Sequence, residues 1–379
     1  MRRPSYVPVP VPALLLALAL VLGLSAAGCE KKPDPPQPAP TETPPSMQAA
    51  TPTAEPAAPK AKPVDPAQLA IFAPLPDKLE RPDNLLTDDK VALGKMLWFD
   101  ARMSLGQDVS CNSCHDVTKS GADEVAVSTG TKKQKGTRNT PTIFNAAGAF
   151  AQGWDARGTL VEAFVVPHAA DTTTMGVDEK RLLETVSSIP GYSAAFKKAF
   201  PDEKGAVTAD TVSKAIGAFT RKLLTPSRWD KFLGGDQAAL TEDEKAGLAT
   251  FMDANCQTCH AGKYVGGADT KKLGLAKPWP TSTDVGRFAV TKEEVDRFVF
   301  KVPTLRNVTK TAPYLHDGSI ATLEENVKLM SRHQVGKEIS DAQAKSIVTF
   351  LGALAAEAPK ALVTKPDLPA SGPKTPKPN

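Results

Sequence analysis

Four of the five cysteines in this 379-residue chain stand in two pairs, and each pair is followed at once by one of the five histidines. The stretches are Cys111-Asn112-Ser113-Cys114-His115 and Cys256-Gln257-Thr258-Cys259-His260. Two sulfurs three positions apart can each form a thioether with a vinyl group on one porphyrin edge. The adjacent imidazole then lies under the ring as an iron ligand. Histidine occupies five of 379 positions, so its arrival after both pairs by chance is about a one-in-5,800 event. A zinc site would use the four sulfurs but gives no reason for either histidine. The spacing therefore predicts two covalently attached haems of the c type.

Each iron has one ligand from its own motif, so its sixth position decides what it does. An open position permits chemistry; closure by a methionine favours electron transfer and raises the potential. Outside the motifs stand His168, His316 and His333. Each, taken alone, is better read as a hydrogen-bonded or propionate-contacting residue than as a ligand. Spacing does not choose among the seven methionines.

Helix signals lead into both motifs. Thr87-Asp88-Asp89 opens a helix whose Val91, Leu93, Met96 and Leu97 are apolar and which runs through Trp98-Phe99 toward the first motif. Thr241-x-x-Glu244 is a capping box ahead of Leu248, Phe251 and Met252, and that helix runs into the second. The two units read as an internal duplication, a capped helix and then a haem-binding turn. Thr208 precedes a helix with Val212, Ile216, Phe219 and Leu223 on one face. Thr322-x-x-Glu325 and Ser340-x-x-Gln343 start two more, and no alternating strand run stands out. The expected fold is mainly α, with two c-type cytochrome-like helical domains, each wrapped around one covalently bound haem, and long loops. The domains are expected at residues 68–235 and 236–358, with a hinge between Pro226 and Asp236.

The fifth cysteine belongs to the N-terminus. Arg2 and Arg3 precede the apolar run Ala13 to Leu22, and Leu24-Ser25-Ala26-Ala27-Gly28-Cys29 follows. The run is short for a membrane span and reads as an export signal over residues 1–28. The small residues before Cys29 resemble a bacterial lipobox, whose cysteine becomes the acylated N-terminus. Ala26 stands where leucine is more typical, so an ordinary signal peptide with an incidental cysteine is the alternative. Export to the periplasmic face suits covalent haem, which is attached outside the cytoplasm. Residues 29–67 read as a tether, because twelve of the 34 prolines lie between Pro33 and Pro66. Residues 359–379 have the same character and are expected to be a disordered tail. A net charge of +4 and no basic cluster interleaved with aromatics argue against nucleic acid as a partner. Membrane contact is expected through the N-terminal lipid only.

Several further stretches follow one another in a fixed order. They are Leu93-Gly94-Lys95-Met96-Leu97-Trp98-Phe99-Asp100, the first haem motif, Arg138-Asn139-Thr140-Pro141 and Trp154-Asp155-Ala156-Arg157. Then come Gly286-Arg287-Phe288, Pro303-Thr304-Leu305-Arg306-Asn307-Val308 and Thr311-Ala312-Pro313-Tyr314-Leu315-His316-Asp317-Gly318. Over nearly all of the folded body this resembles the bacterial di-haem cytochrome c peroxidase family, a relative of the di-haem cofactor-maturing oxidases. The resemblance implies that Cys111, Cys114 and His115 hold the low-potential, peroxidatic haem. Cys256, Cys259 and His260 hold the high-potential haem where electrons enter, closed on its far side by Met330, with His333 as the rival ligand. It also implies a Ca²⁺ held by the Asn139 side chain and the carbonyls of Thr311 and Pro313, all-oxygen ligation that suits a hard cation. Trp154 matches the inter-haem electron relay, an ordinary core tryptophan being the alternative. The implied activity is reduction of hydrogen peroxide to water with electrons from a small c-type cytochrome or cupredoxin, and the implied assembly is a homodimer.

Three positions depart from the family pattern. Thr131 stands where the switchable distal histidine belongs, Thr174 replaces the acid–base glutamate, and Phe164 replaces its supporting glutamine. Cleaving bound peroxide needs a group that moves a proton from the near to the far oxygen, and threonine is a poor shuttle at neutral pH. In one reading the first haem is permanently open and His168, just upstream of Thr174, supplies the acid–base group or closes the iron. In the other, the peroxidase fold has lost the distal chemistry and acts as an electron-transfer cytochrome or as an oxidase of another substrate.

Overall fold

Each C-x-x-C-H motif is reached through a helix that starts on a threonine. Thr87 caps the first, its hydroxyl accepting from the Lys90 amide at 3.2 Å. Thr241 caps the second in a reciprocal box, Glu244 N to Thr241 Oγ1 at 3.2 Å and Thr241 N to Glu244 Oε2 at 2.9 Å. The computed structural model describes residues 64–280 and 282–379. The expected signal segment, Cys29 and the tether up to residue 63 lie outside the described residues. No helix among the described residues is long and apolar enough to cross a membrane.

The helices are α1 (Pro66–Leu69), α2 (Asp88–Phe99), α3 (Cys111–Cys114), α4 (Val161–Ala170), α5 (Glu179–Ser187), α6 (Pro190–Ala199) and α7 (Ala209–Lys222). They continue as α8 (Arg228–Leu233), α9 (Glu242–Asp253), α10 (Phe288–Thr291), α11 (Leu323–Met330), α12 (Asp341–Gly352) and α13 (Lys360–Val363). Thr208, Thr322 and Ser340 cap α7, α11 and α12 as their spacing predicts. Two strands of three residues, β1 (Thr270–Lys272) and β2 (Val299–Lys301), pair antiparallel with Lys271 opposite Phe300. Strands this short carry too few residues for alternation to show in sequence.

The duplication extends to packing. α2 packs on α7, and α9 packs on α12. At the first crossing a side chain on Gly94 would come within 1.9 Å of the Ala215 carbonyl; at the second, one on Gly247 would come within 2.1 Å of the Ser346 carbonyl. Glycine in a helix interior costs roughly 0.5–1 kcal/mol relative to alanine. Here it lets two backbones touch. Each pair belongs to its own apolar cluster: Leu93, Leu97, Trp98, Val212 and Phe219 in one, Leu248, Phe251, Ile347 and Phe350 in the other.

The outer segments of the described body cross between these clusters. Val64, Leu69 and Phe72 pack with the second cluster, where the Phe72 and Trp229 rings meet edge-on at 5.3 Å. The stretch expected as a hinge forms α8, and its Trp229 and Phe232 are buried in that same cluster, so packing changes over ahead of residue 228 rather than at 235. The tail expected to be disordered lies on the first cluster, with Leu362, Val363 and Leu368 against it. Its carbonyls accept from Lys95 Nζ at Ala361 (2.6 Å), Arg102 Nη2 at Pro369 (2.8 Å) and Gln107 Nε2 at Pro376 (2.7 Å). A proline-rich segment builds no core of its own and leaves its carbonyls unpaired within the chain. A surface already built by other residues therefore orders it.

Candidate haem sites and the wall between them

The second motif opens on a large, mainly apolar cavity. Cys256, Cys259 and His260 line it from a short 3₁₀ turn and the loop after it, and Met330 lines it from the end of α11. Burial pushes the Cys256 thiol up to about 12 and the His260 imidazole down to about 4. A side chain on Gly266 (φ +115°) would meet the Pro303 carbonyl at 2.3 Å and His260 Nδ1 at 3.1 Å, so glycine clears the space behind the ring. After Met330 the chain widens into a π turn, Ser331–Val335. His333 turns away from the cavity, its Nδ1 2.9 Å from the Pro278 carbonyl and its ring against Trp279.

These walls fit a haem. The four motif cysteines form no disulfide and are partly accessible, as thioether formation requires. His316 Nε2 and Asn326 Oδ1, both in the cavity wall, are buried without a partner. Asn139, Thr311 and Pro313 border the same cavity. Asn139 Nδ2 donates to the Val125 carbonyl at 2.9 Å, which leaves the side-chain oxygen for another partner. No group of three His, Cys, Asp or Glu among the described residues could hold a metal ion, so a cation here would use amide and carbonyl oxygens.

The first motif is tied to this cavity through one stretch of backbone. His115 Nδ1 is 3.1 Å from the Pro141 carbonyl, a bond that orients the ring and would leave Nε2 for an iron. Pro141, Asn139 and Thr140 also line the cavity of the second motif. Trp154, in the same wall, donates its Nε1–H to the Asn139 carbonyl at 2.9 Å. The neighbours of Asn139 and Trp154 lock the two stretches together: Arg138 Nη1 meets buried Asp155 at 2.6 Å and Arg138 Nε meets Asp284 at 2.6 Å. His316 stacks on Phe300 at 4.2 Å and faces Trp154 edge-on at 6.4 Å. Sequence reasoning missed this clamp and the Phe300–His316 stack. Arg138 and Asp155 were visible as motif residues, but nothing local pairs them.

The three departing positions fall in two groups. Thr131 and Thr174 are backbone neighbours, the Thr131 amide donating to the Thr174 carbonyl at 2.7 Å. The Thr131 hydroxyl donates to Asp108 at 2.7 Å, and that of Thr174 donates to the carbonyls of His168 at 2.5 Å and Asp171 at 2.9 Å. Phe164 stacks on His168 one helical turn on, centroids 5.0 Å apart. Burial pushes the His168 imidazole down to about 4, and the charges of His115 and Arg157 push the same way.

Comparison with known proteins agrees with this geometry. Residues 88–238 match the family described as di-haem cytochrome c peroxidase. The chain is 40% identical over 315 residues to the cytochrome c551 peroxidase of Pseudomonas aeruginosa, covering 82% of this chain and 90% of that one. It is 30% identical over 323 residues to the methylamine utilization protein MauG of Methylophilus methylotrophus, 77% and 94% of the two chains. Among solved structures, a MauG-like protein associated with microbial copper homeostasis superposes with a TM-score of 0.66 at 25% identity, over 80% of this chain and 98% of that one. The diheme peroxidase BthA from Burkholderia thailandensis shares the fold, with a TM-score of 0.60 at 19% identity over 82% and 94%. Fold and site define a mainly helical di-haem protein. The chain belongs to the di-haem cytochrome c peroxidase family.

Proposed function

We propose that this chain is a c-type di-haem peroxidase that reduces hydrogen peroxide to water, H₂O₂ + 2e⁻ + 2H⁺ → 2H₂O. The observation that carries the reading is the wall at residues 139–141, which lines the cavity of one motif and hydrogen-bonds the histidine of the other. Haem, when bound, supplies the redox irons. His115, His260 and Met330 are the residues that would hold them, Met330 at the second site. A small c-type cytochrome or cupredoxin would supply the electrons at the second site, and Trp154 with its bond to Asn139 joins the two sites. His168, neutral at pH 7 because its pKa is about 4, takes the proton from the near oxygen of peroxide and returns it to the far one. Thr131 and Thr174 do not do so, because their hydroxyl protons are committed to Asp108 and to backbone carbonyls.

In the same reading the chain is exported and held at the periplasmic face by an acylated Cys29. It carries one Ca²⁺ on Asn139, Thr311 and Pro313, and pairs with a second copy of itself. The committed threonine hydroxyls also support a second reading, a pure electron carrier or an oxidase of another substrate. One experiment separates a peroxidase from a carrier. Hydrogen peroxide is mixed rapidly with half-reduced, haem-loaded, Ca²⁺-supplied protein. A peroxidase oxidises at once and then turns over with reduced cytochrome c. No reaction, with both irons six-coordinate and low-spin, would establish the carrier.

A further inference from the structure

Among the described residues, one cation in the wall of the second cavity has no counter-charge. No Asp or Glu among the described residues lines that cavity, whereas Lys271, Lys301 and Arg306 do. Arg306 is neutralised by a two-pronged bond to Asp230, 2.8 Å on each side. Lys271 pairs with Asp269 near solvent. Lys301 has neither arrangement: burial alone acts on its ammonium, bringing its pKa down to about 8, and no neighbouring charge contributes. It is held in place by backbone bonds, its amide donating to the Trp154 carbonyl at 2.7 Å while β2 pairs with β1 opposite Thr270. The residue before it, Phe300, stacks on His316, whose buried Nε2 also lacks a partner.

Lys301 is half-buried while the cavity is open, and an occupant that seals the cavity would bury its ammonium. A buried ammonium without a partner is strongly destabilising, so that occupant must bring an anion. We infer that Lys301 is the cationic anchor for a carboxylate of that occupant, a propionate of the second haem, and that its charge raises the potential of that haem. The inference rests on the two-haem reading. A positive charge beside the macrocycle favours the form carrying the extra electron, and low dielectric strengthens the effect. Lys271, already paired and near solvent, contributes less. Lys301 is thus a positioning and tuning residue rather than a catalytic one.

The test compares Lys301→Met, Lys301→Arg and Lys271→Met with the wild-type protein, both haems loaded, by spectroelectrochemical titration. Lys301→Met is expected to raise the ferric-to-ferrous ratio of the second haem at least tenfold at fixed potential, about 59 mV for one electron. The first haem should be unmoved. Lys301→Arg and Lys271→Met should each stay within about threefold of wild type, the first because it keeps the charge and the second because its charge is already paired. An unchanged second haem in Lys301→Met, or an equal shift of both haems, would overturn the inference. Should Lys301→Met lose the second haem while Lys301→Arg keeps it, the need for charge is shown directly. Loss in both variants would assign Lys301 to packing of β2 and overturn the anchor role. Failure of the two-haem reading is separate and visible beforehand, as a wild-type pyridine haemochrome with a single haem.

Discussion

Thr174 turns its hydroxyl proton inward, to two carbonyls of its own loop, and so has none to offer a substrate. A glutamate there has no proton to give those carbonyls when ionised and would extend away from them. Thr174→Glu is expected to raise kcat/KM for peroxide by about 10², the lower end of what a positioned acid–base group supplies. An unchanged rate constant would remove any acid–base role from that position. His168 makes a second prediction, on stability. Its folded pKa of about 4 is below the ordinary 6.5, so the folded protein resists the protonation that the unfolded chain accepts. Its contribution is complete above pH 6.5 and is lost as pH falls toward 4, on the order of 3 kcal/mol in all. Urea unfolding of His168→Gln at pH 7, 6, 5 and 4 should show a flatter pH dependence than wild type. Parallel curves would mean that His168 is not the group being titrated.

At the scale of helices, the two halves depend on the same device. α2 and α9 each carry a glycine where a partner helix presents a backbone carbonyl, Ala215 to Gly94 and Ser346 to Gly247. A methyl group cannot be absorbed there by rotating a side chain, because the obstacle is main chain. Gly94→Ala and Gly247→Ala are each expected to destabilise by about 1–3 kcal/mol, the usual range for overpacking, and differential scanning calorimetry reads it as a lowered transition. A variant as stable as wild type would show that the crossing helices can move apart without loss. The end of α11 adds a second element-scale device. The π turn after Met330 separates two residues three apart, leaving Met330 in the cavity and His333 outside. Such turns recur at functional sites.

For the whole molecule, the C-terminal tail links distant parts. The Asn379 amide donates to the Leu105 carbonyl at 3.2 Å, and the Leu105 amide donates to Met175 at 2.9 Å. Gly106 N and Asp108 both bond the Thr131 hydroxyl. The tail therefore braces the loop on which Thr131 and Thr174 meet. A chain ending at Thr364 should exchange amide hydrogens in residues 104–108 and 129–134 at least tenfold faster, while α9 and α12 keep their protection. Unchanged exchange would make the tail a passive covering.

The chemistry was legible in the sequence because it is local. Two cysteines and a histidine within five residues select haem, and a threonine three residues before a glutamate starts a helix, whatever the rest of the chain does. The two C-x-x-C-H motifs, the caps of α2, α7, α9, α11 and α12, and the repeated order of helix and motif all rest on contacts within a turn or two. Long-range contacts decided the rest. Met330 rather than His333 faces the cavity because a turn widens between them. Trp154 meets Asn139 because Arg138 and Asp155 pair across sixteen intervening residues. A proline-rich tail is ordered by a surface it did not build. Lys301 looks like any strand lysine until the described residues lining the cavity beside it are seen to include no carboxylate. Burial and pairing are properties of the assembled fold, and spacing along the chain does not encode them.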